Sequence, residues 1–88
     1  MPSPHSLFRT VVDANVPRQT RKTAIDELAT AEATTQLRVI AVTSGLAGPY
    51  RRQALSALGQ CGATDMLERL ADDSSLHRSL RKQAKVLA

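Results

Sequence analysis

Aromatic side chains are almost missing from this chain: Phe8 and Tyr50 are the only two, and tryptophan is absent. Recognition of single-stranded nucleic acid by stacking bases on aromatic rings is therefore nearly excluded, and the core has to be aliphatic. Cysteine occurs once, at Cys61, so no internal disulfide can form. No apolar run reaches the roughly 18 residues that a bilayer-spanning helix needs. Nothing between Met1 and the polar residues that follow has the apolar stretch of a secretory signal. These absences predict a cytoplasmic protein that does not enter membranes.

Catalytic and metal chemistry find equally little to work with. His5 and His77 are far apart in sequence, and neither they nor Cys61 form a cluster with carboxylates at ligand spacing. The neighbouring pairs Asp26-Glu27 and Asp72-Asp73 cannot both face one cleft from a helix, and they read as solvated surface and turn chemistry. Gly45, Gly48, Gly59 and Gly62 fall at corners and match no phosphate-binding loop. The expectation is a protein with no catalytic residue, no cofactor and no metal.

What the chain does have is a repeat. Shifted by 30 residues, Val16 aligns with Leu46 and Leu76, Arg21 with Arg51 and Arg81, Lys22 with Arg52 and Lys82, and Ala24 with Ala54 and Ala84, all without a gap. Between the first two copies the match extends through Ile25/Leu55, Leu28/Leu58, Leu37/Leu67 and Ile40/Leu70. A fixed period of this size in an Ala- and Leu-rich sequence means stacked helical hairpins, each unable to bury its apolar face alone. Cys61 shares a column with Ala31 and reads as a small buried hydrophobe at a helix end, not as a reactive or redox thiol.

The register divides the chain into a loose N-terminus (1–3), an N-terminal capping helix (4–15), a first repeat (16–45), a second (46–75) and a half repeat (76–88). Ser3 is a candidate N-cap and Pro4 suits a first helical position. The stretch from Leu37 to Thr43 (LRVIAVT) is β-branched and reads locally as a strand, but its register partner, Leu67 to Asp73 (LERLADD), is helical. The prediction is therefore six helices and no strand, with Leu37 to Thr43 helical and Leu28, Leu37, Ile40, Leu55, Leu58, Leu67 and Leu70 in the core. Ser74 or Ser75 is expected to cap a last helix beginning near Leu76.

The run from Tyr50 through Arg51, Arg52, Gln53, Ala54, Leu55 and Leu58 to Gly59, followed by Leu67, Leu70 and the Asp72-Asp73 turn, resembles a HEAT repeat, in particular the short variety also found in phycobilin lyases. The signature recurs as Arg21-Lys22-Thr23-Ala24-Ile25 and, truncated, as Arg81-Lys82-Gln83-Ala84, so the resemblance covers Val16 to Ala88. It implies a right-handed α-solenoid that docks other macromolecules, and no chemistry of its own. In that family the arginine often pairs with an aspartate in the preceding loop. Here the positions six residues before Arg21, Arg51 and Arg81 hold Asn15, Gly45 and Ser75, which leaves those arginines without an obvious acidic partner.

Charge supplies the one functional signal with a location. Residues 1–73 carry eight basic and eight acidic side chains, so the net +4 comes from Arg78, Arg81, Lys82 and Lys85 near the C-terminus. Arg18, Arg21, Lys22, Arg51 and Arg52 hold equivalent places upstream, and stacking would align them into a basic ladder. Such a stripe is the footprint expected for an acidic protein or a phosphate backbone, although long basic side chains also simply solvate an outer face. Arg18, Lys22, Arg52, Arg78, Lys82 and Lys85 are the candidate partner-binding residues, while Arg21, Arg51 and Arg81, nearer the packing seam, combine packing with binding. The expected function is that of a small non-catalytic adaptor for an acidic protein partner, as a monomer or as a weak homodimer through its C-terminal end. Sequence-independent binding of duplex DNA or structured RNA by the same ladder is the alternative.

Overall fold

The computed structural model describes residues 2–88, so Met1, part of the expected loose N-terminus, lies outside them. Among the described residues the chain forms six helices and no strand: α1 (Pro4–Val12), α2 (Arg18–Thr30), α3 (Thr34–Val42), α4 (Gly48–Gln60), α5 (Thr64–Ala71) and α6 (Arg78–Leu87). Consecutive helices pair as hairpins, α1 on α2, α3 on α4 and α5 on α6, and the hairpins stack through α2 against α4 and α4 against α6. The result is two layers measuring 32 × 24 × 17 Å, with the odd-numbered helices on one side and the even-numbered on the other. The odd layer opens between α3 and α5, which scarcely meet.

Local chemistry sets each boundary. Ser3 accepts the Ser6 N–H at 3.2 Å, and Pro4 occupies the first turn of α1, where a missing N–H leaves nothing unpaired. The chain leaves α1 at Asp13 in an extended conformation, not at Asn15, and the Asp13 carboxylate accepts the Asn15 N–H at 2.9 Å in an Asx turn. The β-branched segment is helical from Leu37 to Val42, and only Thr43 is extended. Leu37, Ile40 and Ala41 are fully buried at helical spacing, so packing overrides local strand preference. The last helix starts later than the serines suggest. His77 is its N-cap, accepting the Ser79 N–H through Nδ1 at 3.1 Å, while Ser75 is bound to Asp73.

The core follows the 30-residue register. Leu28, Leu37, Ile40, Leu55, Leu58, Leu67 and Leu70 are all buried, and Ala24, Ala54 and Ala84 form a column of small side chains that lets neighbouring helices approach. Leu7 and Val11 belong to the same core, and Leu7 falls in one column with Leu37 and Leu67. Thus α1 stands to α2 as α3 stands to α4. Gly59 makes a second close approach: a Cβ there would lie 3.2 Å from the Leu87 side chain.

The corners after α2 and α4 are built alike. The Ala33 N–H reaches the Leu28 carbonyl at 2.9 Å and the Glu32 N–H reaches Ala29 at 3.0 Å. The second corner repeats this as Ala63 to Leu58 at 3.1 Å and Gly62 to Gly59 at 3.1 Å. This is the Schellman pattern, whose central residue must adopt positive φ. Gly62 does so at 70° without a side-chain clash, whereas Glu32 does so at 53° with one. Glu32→Gly is therefore expected to stabilise the protein by about 1 kcal/mol, read as a higher urea midpoint at unchanged slope, and Gly62→Glu to lower stability by a similar amount.

Candidate interaction surface

The basic residues of the even-numbered helices divide into two sets that differ in what they touch. Arg21, Arg51 and Arg81 are half-buried. The Arg21 Nε donates to the Val11 carbonyl at 2.8 Å and the Arg51 Nε to the Ala41 carbonyl at 2.9 Å. Both carbonyls lie in the last turn of the partner helix, where no intrahelical donor remains. An arginine without an acidic neighbour in sequence therefore has a backbone partner in the fold. The Arg21 guanidinium also lies over the Tyr50 ring, 4.3 Å from its centroid, joining the first hairpin to the second.

The third copy departs from this pattern. The Arg81 Nε is buried without a hydrogen-bond partner. Helix α5 has eight residues against nine in α1 and α3, and its C-cap Asp72 stays near helical geometry, whereas Asp13 and Thr43 turn to extended backbone. The carbonyl equivalent to Val11 and Ala41 is thus offered differently. Nearby, the Ser75 hydroxyl and N–H bind the Asp73 carboxylate at 2.6 and 2.9 Å and hold its pKa below the usual carboxylate range, with the Arg81 charge adding to the effect.

Arg18, Lys22, Arg52, Arg78 and Lys82 are exposed, and the repeat register carries Lys22 onto Arg52 and Arg52 onto Lys82. Where Arg18 and Arg78 stand on α2 and α6, α4 has Gly48, and the Arg52 guanidinium folds back toward the gap: a Cβ on Gly48 would be 3.0 Å from its Nη1. The first turns of α2, α4 and α6 contain no acidic residue, and neither Pro17 nor Ala47 caps its helix with a side chain. Positive helix termini and cations therefore lie together at this end of the even layer. Lys85 does not join them. It occupies the column of Ile25 and Leu55 and lines a hollow of about 490 Å³ with Glu68, Ala71, Asp72 and Ala88.

Two residues that sequence reasoning missed tie these helices together. The Gln53 amide donates to the Lys22 carbonyl at 2.9 Å and to the Asp26 carboxylate at 3.0 Å, and the Gln83 amide donates to the Arg52 carbonyl at 3.0 Å and to the Ser56 hydroxyl at 3.2 Å. Their common column, with Thr23 in the first copy, was the available signal. Cys61, at the C-terminal end of α4, is half-buried where the sequence suggested a buried residue; its thiol lies 3.4 Å from the Ala29 carbonyl, and partial burial together with the Glu32 charge raises its pKa. That environment favours the thiol over the nucleophilic thiolate. His5 lies in the first turn of α1 and shares a hollow with Arg9 and Asp13. Among the described residues, no three His, Cys, Asp or Glu side chains are grouped as for a metal ion, and no helix is long and apolar enough to cross a membrane. Compared with family models, curated proteins and solved structures, the chain matches none.

Two expectations follow. Arg51→Ala strips a charged donor from the Ala41 carbonyl and should cost about 1.5–3 kcal/mol, whereas Arg81→Ala removes an unpartnered Nε and should cost clearly less; urea titration compares them. Because the Asp73 pKa is depressed on folding, its stabilising contribution is complete above the unfolded carboxylate value of about 3.9 and is lost as pH falls through the lower folded value. Thermal melts of Asp73→Asn should accordingly depend less on pH below about pH 4 than those of the parent.

Proposed function

We propose that this chain is a non-catalytic, HEAT-like interaction module, a right-handed α-solenoid acting in the cytoplasm without a cofactor, that docks an acidic protein through the even-numbered helices. The observation that supports it best is the row Lys22, Arg52 and Lys82: three exposed cations at equivalent positions of adjacent helices, flanked one turn earlier by Arg18 and Arg78. A solvated face needs no such alignment. Adjacent positive termini without acidic first-turn residues raise the potential along that row and draw in anionic partners. Arg21 and Arg51 contribute by fixing the helices that present it.

One observation favours a second reading. The first turns of α2 and α4 offer amide N–H groups to which no cap side chain is bonded, and such groups bind phosphate readily. Duplex DNA or structured RNA is therefore the competing ligand.

The triple variant Lys22→Glu, Arg52→Glu, Lys82→Glu tests the row. The parent protein should be retained on immobilised poly-glutamate at low salt and the variant should pass through, with melting temperatures within a few degrees because exposed charges contribute about 0–1 kcal/mol each. Equal retention of parent and variant would reduce the row to a solvated face. Tighter binding of the parent to duplex of random sequence than to poly-glutamate would transfer the surface to nucleic acid.

A further inference from the structure

Each hairpin seats the next in one repeated way. In the odd layer, Phe8 of α1 shares a hollow with Thr35, Gln36 and Val39 of α3. In the even layer, Gln53 reaches back to Lys22 and Asp26, and Gln83 to Arg52 and Ser56. The residues that hold the same places on the outer sides of the first and last hairpins have no such neighbour. On the α1/α2 side, Ser6 and Arg9 stand where Gln36 and Val39 stand in the second copy and line an open hollow of about 460 Å³, while Glu27 lies exposed beside a second hollow. On the α5/α6 side, Glu68 holds the column of Phe8 and lines a hollow with Asp72 and Lys85, and Val86 holds the column of Asp26 and Ser56.

These two faces are opposite in sign, layer by layer. The α1/α2 face is basic in the odd layer, at Arg9, and acidic in the even layer, at Glu27; the α5/α6 face is acidic in the odd layer, at Glu68 and Asp72, and basic in the even layer, at Lys85. The Asp13 carboxylate, beside Arg9, already accepts the Asn15 N–H. Carrying the 30-residue register across a junction between two copies brings Arg9 to Glu68 with the offset that Val39 has from Phe8. It sets Glu27 against Val86, one position from Lys85, with the offset that Gln53 has from Lys22. Val12 and Val86 are the large hydrophobic side chains left exposed among the described residues, and one lies on each face.

We propose that a second copy of this chain stacks head to tail on the first, its α1/α2 face on the α5/α6 face, with Arg9 against Glu68 and Glu27 against Lys85. Complementary charge selects the partner face and the register of the contact. The two faces are unlike, so the contact leaves one of each free and repeats from copy to copy as an open array. Thr23 stands in the column of Gln53 and Gln83, so the junction lacks the amide bonds that tie the internal hairpins and is weaker than they are. None of Lys22, Arg52 and Lys82 is needed for it, and the stack stands or falls independently of the basic-face reading.

Two double variants that keep the net charge test it: Arg9→Glu with Glu27→Lys reverses the α1/α2 face, and Glu68→Arg with Lys85→Glu reverses the α5/α6 face. Sedimentation equilibrium of the full chain is run at about 0.1 M salt, where repulsion between net charges is screened beyond about 10 Å and contact pairs are screened least. The weight-average mass of the parent should rise with concentration past twice the monomer mass of 9.5 kDa. Each double variant alone should stay near one monomer mass, with unchanged helical circular dichroism because exposed charges contribute little to stability. An equimolar mixture of the two should associate again, since each supplies the face that the other lacks. A parent that stays monomeric up to about 1 mM would overturn the proposal, as would a mixture no larger than its components. Undiminished association of the Arg9→Glu, Glu27→Lys variant alone would also overturn it and would place the contact between like α5/α6 faces.

Discussion

In the first two hairpins, the arginine that reaches from the second helix to the free carbonyl at the end of the first is the contact around which the packing is arranged. It gives a half-buried carbonyl the donor that its own helix cannot supply, and it sets how far the two helices slide along each other. With that offset set in the second hairpin, Ala54 meets Ala24 and Gln53 comes within reach of the Lys22 carbonyl one hairpin back. The Arg21 guanidinium then provides a flat surface for Tyr50, so one side chain closes a hairpin and also seats the next. Neutral hydrogen bonds would satisfy the same carbonyls, but a charged donor forms the stronger bond.

The same contact explains why adjacent basic residues have different roles. Arg21 and Lys22 are neighbours in sequence and carry the same charge, yet one is directed into the hairpin and the other is exposed. Composition cannot make that distinction; helical geometry can, because residues three positions before the core alanines lie beside the seam and those two positions before do not. Lys85 shows the converse. It stands where Ile25 and Leu55 are buried in the preceding copies, and its column, rather than its charge, places it beside Glu68 and Asp72.

Most of the architecture was legible because it is periodic. The 30-residue register identified the apolar columns of the core and, against local preference, the helical state of the β-branched segment. It did not reveal what depends on single atoms. The partner of Arg51 is a backbone carbonyl, invisible in any side-chain pattern, and the start of α6 turns on a histidine ring nitrogen where a serine hydroxyl was the conventional choice. The bonds of Gln53 and Gln83 span 31 and 27 residues and acquire meaning only after the hairpins are stacked.

The pairing of helices only with near neighbours has a consequence for how the chain folds. Every substantial contact joins elements that are adjacent or next-but-one in order, from α1 against α3 to α4 against α6. Low average sequence separation favours rapid folding, and a linear array can nucleate at any hairpin and grow outward. The central hairpin, with neighbours on both sides, is the natural nucleus. The third lacks the arginine bond that closes the other two. Opening should therefore begin at α5 and α6 and travel inward, so that the helix carrying Arg78 and Lys82 is also the first to loosen.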